Sequence, residues 1–103
     1  MQSVSSNKKI RVLALFLAQP KKELQVIELL KKMIEPTRKE KGCSCYELQQ
    51  NTKDPCDRAF IEEWESEEDL NIHSESKHLK EIIPQVLPLL QQPPLVRRYR
   101  FVA

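Results

Sequence analysis

The amino-acid sequence predicts an α+β fold in which strands and helices follow the order β-α-β-β-α-β. Three observations lead to this prediction. A β-branched, leucine-rich run precedes an amphipathic helical pattern, two alternating segments then form a hairpin, and a second helical pattern leads into a last strand. Elements in this order build one antiparallel sheet with helices on one face, the ferredoxin-like arrangement.

The first part of the chain predicts one strand and one helix. Residues 1–7 are polar and are expected to be a flexible extension, whereas residues 8–17 are typical of a central strand. Apolar residues near i, i+3, i+7 spacing predict an amphipathic helix over residues 21–35. Pro36 is expected to end or kink it. Gly42, the only glycine, precedes the next strand and predicts a positive φ.

The next two strands are predicted as a hairpin. Residues 43–50 alternate, which predicts a half-buried strand with Ser44 and Tyr46 on one face and Cys43 and Cys45 on the other. A turn over residues 51–57, which contains an Asp-Pro pair, is expected to lead into the returning strand at residues 58–65.

The remaining segments predict two helices and a strand. Ser66 and the acidic residues after it are a good N-cap for a helix that ends near residue 74. A strongly apolar helix follows from Ser76, and Pro84 and Pro88 are expected to interrupt or restart it. Residues 95–102 then complete the sheet.

The chain has 103 residues, which is enough for one hydrophobic core, so we expect a single domain over residues 8–103.

Helices cover only one face of such a sheet. A second copy of the chain is the simplest cover for the other face, and we therefore expect a homodimer.

Charge and composition exclude several classes of protein. Residues 1–41 carry ten Lys or Arg against four Glu, but these cations lack the interleaved aromatic residues of nucleic-acid readers, so no nucleic-acid partner is expected. No segment has the roughly 20 apolar residues of a membrane span, and no membrane partner or export signal is predicted. Three cysteines, an odd number, suit free thiols, and a cytoplasmic location is expected.

Three short motifs carry a resemblance that covers nearly the whole chain. They are G-C-x-x-Y-E-L from Gly42, N-x-x-D-P from Asn51, and F-x-E-x-W-E-S-x-x-x-L-x-x-H-x-x-S-x-H from Phe60. In this combination, between an amphipathic helix and a proline-interrupted one, the sequence resembles the antibiotic biosynthesis monooxygenase family of small dimeric α/β barrels.

The resemblance implies an oxygenase that acts on a quinol or a polycyclic phenol without flavin, haem or metal. Molecular oxygen reacts slowly with closed-shell molecules, so such an enzyme must deprotonate the substrate to an anion that supplies the electrons. A base and a dry pocket are therefore needed. The first strand lacks the internal Asn of haem-degrading relatives, which disfavours that branch, although Trp64 and His73 keep it open.

His73 is the best candidate for the base, because an unshifted imidazole titrates near pH 6.5. Alternatively, His73 has a structural role and only forms a hydrogen bond with the backbone. Trp64 is predicted to stack on an aromatic ring or to bind an oxygen, although a lone tryptophan in a strand is by default core. Glu62 can accept a phenolic proton if burial raises its pKa, or it can pair with Arg58 or a C-terminal arginine.

Four further residues are predicted to bind substrate or to shape the pocket. Tyr46 and Phe60 are expected to line it, His78 to form a wall or a helix start, and Asn51 to fix the turn. No metal site is predicted, because His78 lies five residues after His73 and a third clustered ligand is not apparent.

Two other functions stay open. The same fold and histidine would suit an isomerase of a phosphorylated autoinducer-type sugar, in which basic residues hold the phosphate. The chain can also be a non-catalytic dimeric ligand-binding or stress protein whose pocket residues are core. The identity of the substrate does not follow from residue spacing.

Overall fold

The computed structural model describes residues 8–103, and the extension expected at residues 1–7 lies outside this range. The described chain forms a four-stranded antiparallel sheet with helices on one face, which confirms the predicted α+β order. The elements are β1 (Ile10–Leu17), α1 (Glu23–Lys31), α2 (Ile34–Arg38), β2 (Cys43–Asn51), β3 (Asp54–Trp64), α3 (Glu67–Ser74), α4 (Lys77–Val86), a 3₁₀ turn (Leu87–Leu89) and β4 (Leu95–Arg100). Within residues 8–103, no helix has the length and apolar character needed to cross a membrane.

The sheet has the strand order β2-β3-β1-β4, so β1 lies between β3 and β4. Val12 of β1 is opposite Glu62 of β3 and Arg98 of β4. Directly opposite residues share a face, so these three form one row across the sheet. Ala14 forms the adjacent row, and the alternate residues of β1 on this inner face are all buried against the helices.

The first helical region differs from the single helix predicted over residues 21–35. Its first helix, α1, begins later than predicted, because Lys21 has a φ of 73° and is not helical. After α1, Lys32 and Met33 make i→i−3 hydrogen bonds before α2 begins. Pro36 lies in the first turn of α2, where a backbone N–H has no intrahelical partner, so the proline is tolerated there.

Of the two prolines predicted to interrupt the last helix, only Pro88 coincides with its end, inside the 3₁₀ turn. Pro84 lies within α4, which continues to Val86. The apolar face of α4 remains packed, since Ile82 and Val86 are both buried in the core. The stability gained from this packing offsets the stability lost with the backbone hydrogen bond that a proline removes.

The start of β2 contains a β-bulge that places its two cysteines on opposite faces of the sheet. Cys43 pairs with Trp64, while Cys45 pairs with Glu63, so Ser44 is the extra residue. Cys43 therefore packs against the core and Cys45 lies on the outer face. The prediction that both thiols share a face is wrong.

The hairpin turn is tighter than the predicted loop over residues 51–57. Asn51 already pairs with Asp54, and Asn51 Oδ1 accepts a hydrogen bond from the Lys53 backbone N–H at 2.8 Å. This is the local turn that an asparagine side chain favours. Pro55 is tolerated because it is the second residue of β3, close to the end of the strand.

The last strand, β4, lies at the edge of the sheet and ends at Arg100, two residues before the predicted end at residue 102. All its residues are exposed. From its register with β1, Val96 and Arg98 belong to the inner face, and Tyr99 belongs to the outer face.

Gly42 allows the loop before β2 to pack closely against α3. Its φ is 83°, as predicted, and a Cβ at this position would lie 2.7 Å from Asp69 Cβ. A side chain is therefore excluded both by conformation and by space. The Glu65 backbone N–H donates to Gly42 O at 2.8 Å, and Ser66 caps α3 by accepting from Asp69 N at 3.1 Å, which confirms the predicted cap.

Candidate active site

A cavity of about 340 Å³ lies between the inner face of the sheet and helices α3 and α4. Most of its wall is apolar and comes from β1, β3 and the two helices. The polar side chains that line it are Tyr46, Glu62, His73, Ser74 and Arg98. An apolar cleft with a few polar groups is the usual form of a small-molecule site.

His73 lies in the last turn of α3, is buried, and borders the cavity. Its Nδ1 is 2.8 Å from Oε2 of Glu40, which belongs to the loop between α2 and β2. The partner is thus a carboxylate and not the backbone. Among the hydrogen bonds of residues 8–103, His73 Nε2 has no partner, so this nitrogen is the one available to a ligand.

His78 lies in the first turn of α4, so it is a helix-start residue, which is one of the two positions predicted for it. It does not line the cavity. Its Nε2 is 3.1 Å from the same Oε2 of Glu40 and 2.9 Å from the Thr37 hydroxyl. Glu40 therefore bridges the two histidines, of which His73 borders the cavity.

Glu62 is buried in β3 and reaches the cavity from the sheet. Its partner is Trp64, whose indole N–H donates to Glu62 Oε1 at 2.8 Å; no ion pair with an arginine forms in the described chain. Burial raises the pKa of Glu62 from its usual 4.5 to about 7, the indole hydrogen bond opposes this, and the negative charge of Glu40 adds to it. Glu62 can therefore gain or lose a proton near neutral pH.

Trp64 is fully buried and lies behind the cavity wall. Its ring packs against that of His73, with centroids 4.6 Å apart, while its N–H binds Glu62. Trp64 thus contacts both titratable side chains without lining the cavity. It does not present the stacking surface that the sequence predicts.

Tyr46 and Phe60 both line the cavity. Their rings are stacked, with centroids 4.5 Å apart and an interplanar angle of 22°. Burial, followed by the negative charge of Glu62, raises the pKa of Tyr46, so its hydroxyl stays protonated and can only donate or accept hydrogen bonds.

Asn51 lies at the far end of the hairpin, is exposed, and does not line the cavity. Its Nδ2 donates to Asp57 Oδ2 at 3.0 Å, in addition to the turn contact described above. The structure therefore brings together five of the predicted residues around the cavity, namely His73, Trp64, Glu62, Tyr46 and Phe60.

The sequence prediction missed Glu40, Thr37 and Arg98. Glu40 is 33 residues from His73 and sits between two lysines, so it has the appearance of a surface residue. Arg98 reaches the cavity from β4 and donates to Asn71 Oδ1 at 2.9 Å. Only the strand register, which places Arg98 in the same row as Glu62, could have signalled it.

The three cysteines are free thiols, and Cys43 is affected by the charges of Glu40 and Glu62. Burial raises its pKa to about 11, and the negative charges of Glu40 and Glu62 add to the effect. At neutral pH Cys43 is therefore protonated and is a poor nucleophile or metal ligand.

The structure is that of a small α+β protein with an apolar cavity between its sheet and its helices, and comparison with known proteins defines its family. The sequence profile of the antibiotic biosynthesis monooxygenase family matches residues 9–85. The chain belongs to this family, as the sequence motifs predict.

Solved structures agree with this assignment. A conserved protein from Methanosarcina mazei Go1 is 35% identical, with a TM-score of 0.90 over 95% of this chain and 97% of that one. A structure described as an antibiotic biosynthesis monooxygenase is 30% identical, with a TM-score of 0.85 over 91% and 99%. Rv0793 from Mycobacterium tuberculosis is 29% identical, with a TM-score of 0.86 over 92% and 96%.

The uncharacterized protein sll1783 from Synechocystis is 27% identical over 82 residues. The match covers 80% of this chain and 56% of the relative, so the chain spans little more than half of that protein.

The raised pKa of Glu62 predicts a specific pH dependence of stability. The folded state binds the Glu62 proton more tightly than the unfolded state, so this stabilisation is complete below about pH 4.5 and is lost as the pH rises through about 7. Relative to Glu62→Gln, the free energy of unfolding of the wild type should fall by about 3 kcal/mol between these limits.

Urea unfolding of both proteins at a series of pH values measures this difference. Glu81→Gln, which removes an exposed carboxylate from α4, controls for the loss of one negative charge. Parallel stability curves for the wild type and Glu62→Gln would contradict the raised pKa.

Proposed function

We propose that this protein is a cofactor-independent monooxygenase that oxidises a quinol or a polycyclic phenol with molecular oxygen. Family membership supports this class of reaction. The observation that carries the proposal is the position of His73, which borders an apolar cavity while its Nδ1 is held 2.8 Å from a carboxylate.

In the proposed mechanism, neutral His73 donates its Nδ1–H to Glu40 and carries a lone pair on Nε2. A carboxylate partner selects this tautomer and stabilises the imidazolium that forms when Nε2 accepts a proton. His73 is therefore the base that removes the phenolic proton of the substrate, and Glu40 is its positioning residue.

Tyr46 and Phe60 place two aromatic rings in the cavity wall, against which a planar substrate can pack. The apolar lining excludes water from the phenolate, so the anion is a stronger reductant than it is in solution. Trp64, from behind the wall, orients His73 by packing and holds Glu62 by its hydrogen bond.

The overall reaction takes four electrons from the substrate. One atom of molecular oxygen enters the product, and the other leaves as water together with two protons from the substrate. Glu62, with its pKa of about 7, is suited to deliver a proton to the reduced oxygen. The two titratable groups thus have different roles: His73 removes a proton from the substrate, and Glu62 donates a proton to the reduced oxygen.

Arg98 favours a second candidate function, the isomerase of a phosphorylated sugar. A guanidinium at the cavity can bind a phosphate. Arg98 is, however, already engaged with Asn71 and with Glu67, whose Oε2 is 3.4 Å from Nη1. The apolar cavity wall also suits an aromatic ring better than a sugar, and we therefore rank this function second.

We also propose that the protein acts as a homodimer in which the outer faces of two sheets pack together. Among the described residues this face has no helix over it, and Ile61 of β3 is 38% exposed there. Leu13, Leu15 and Tyr99 extend the apolar surface along β1 and β4. Burying such a face on an identical copy gives closed two-fold symmetry.

Oxygen uptake in the presence of a panel of reduced quinols tests the monooxygenase. The wild type should consume oxygen in chelator-treated buffer, and His73→Ala should lower the rate about 100-fold or more, because general-base catalysis typically contributes that much. Glu40→Gln should lower the rate less, since His73 is still present but loses its anionic partner.

Glu81→Gln, which changes an exposed carboxylate of α4 that does not line the cavity, serves as the control and should retain the wild-type rate. All variants are compared by circular dichroism to exclude misfolding. Enzyme-dependent uptake that survives in His73→Ala would remove His73 from the mechanism. Conversion of a phosphorylated sugar without oxygen uptake would favour the isomerase instead.

Light scattering coupled to gel filtration tests the dimer. The wild type should have twice the chain mass of 12.1 kDa, and Ile61→Lys should convert it to a monomer, because a charge would be buried in the interface. Ile72→Lys is the matched control, since Ile72 is exposed on α3 at the opposite side of the sheet. A monomeric wild type would contradict the proposed assembly.

A further inference from the structure

We propose that Glu40, His73 and His78 form a binding site for a divalent transition-metal ion such as Zn²⁺. One ligand atom from each residue lies within 4.8 Å of the other two, and Glu40 Oε2 contacts both His73 Nδ1 and His78 Nε2. The third ligand that is not apparent from the sequence is thus supplied by the loop between α2 and β2.

The chemistry of the ligands favours zinc or a similar ion. Two imidazoles and one carboxylate are the protein ligands of many catalytic zinc sites, which keep a fourth position for water. Such ions bind imidazole nitrogen better than Ca²⁺ or Mg²⁺ do, since those two prefer oxygen ligands.

The spacing of the three atoms is close to what a metal requires. Glu40 Oε2 is 2.8 Å from His73 Nδ1 and 3.1 Å from His78 Nε2. Ligand atoms about 2.1 Å from a tetrahedral zinc ion lie about 3.4 Å apart, so Glu40 Oε2 needs to separate from each of the two histidine nitrogens by roughly half an ångström or less. Thr37 would lose its contact with His78 and could instead bind a water on the open position.

The site is also accessible from the surface. The side chains of Glu40 and His78 are 15% and 18% exposed, whereas that of His73 is 5% exposed. Glu40 and His78 line a shallow depression together with Glu68 and Glu75. Glu68 adds a negative charge that attracts cations, whereas Glu75 is already paired with Lys80, whose Nζ is 3.1 Å from Glu75 Oε1.

The backbone holds the three ligands in place without a metal. Glu40 N donates to Thr37 O at 3.0 Å, and Ser76 N, between the two histidines, donates to His73 O at 3.0 Å. The ligand atoms satisfy one another by hydrogen bonds, so the site is formed before an ion arrives. Metal binding then replaces the protons that the three groups share.

A metal ion here would act as an inhibitor of the proposed reaction, a consequence that, unlike the site itself, rests on the proposed function. His73 bound to a metal through Nδ1 carries its remaining proton on Nε2, so the lone pair needed by the base is lost. The metal site and the general base therefore exclude each other.

Calorimetric titration of chelator-treated, metal-free wild type with ZnCl₂ tests the site. We expect one Zn²⁺ per chain, and at least tenfold weaker binding in Glu40→Gln and in His78→Gln. Glu75→Gln, which alters the depression but removes no ligand, should bind as the wild type does. The triple variant Cys43→Ser, Cys45→Ser, Cys56→Ser should also keep the site, because no thiol takes part.

Co²⁺ provides a second readout that needs no variant. The proposed ligands should give a visible ligand-field spectrum without the sulfur-to-cobalt charge-transfer band of thiolate sites. The proposal is overturned if the wild type binds no Zn²⁺, if Glu40→Gln binds as tightly as the wild type, or if removal of the cysteines abolishes binding.

Discussion

The hydrogen bond between His73 and Glu40 connects the two halves of the chain at the edge of the cavity. It joins the loop between α2 and β2 to the last turn of α3. Gly42 makes this contact possible, because its positive φ and missing side chain let the loop pack directly against Asp69. The backbone N–H of Asp69 also donates to the Ser66 hydroxyl, which caps α3. The start of α3 and the loop are therefore held together.

The environments of Glu62 and His73 explain how one small cavity can hold two proton-carrying groups with different hydrogen-bond partners. The partner of His73 is a carboxylate, which holds the Nδ1 side of the ring and favours the tautomer with its proton on Nδ1. The partner of Glu62 is a neutral indole, and this single donor does not outweigh the cost of burying a carboxylate. Separate partners for neighbouring titratable groups are a recurring way to assign acid and base roles. Trp64 is important because it touches both groups.

Most of the fold could be predicted from local patterns. The Ser66 cap, the positive φ of Gly42 and the alternating residues of β3 depend only on neighbouring residues, and all are present. The bulge at Ser44 could not be predicted, because it depends on the register with β3 and shifts Cys43 to the inner face. For the candidate site, the sequence predicts the residues on β3 and α3 but not Glu40. That contact spans 33 positions, and a glutamate between lysines carries no local sign of burial.

The tautomer of His73 is the most direct test of this account, because both the proposed base and the competing metal site depend on which nitrogen carries the proton. Long-range ¹H–¹⁵N correlation NMR of the metal-free protein distinguishes the two ring nitrogens. The account predicts a proton on Nδ1, shared with Glu40, and an unprotonated Nε2 in neutral His73. A proton on Nε2 with a bare Nδ1 would contradict it.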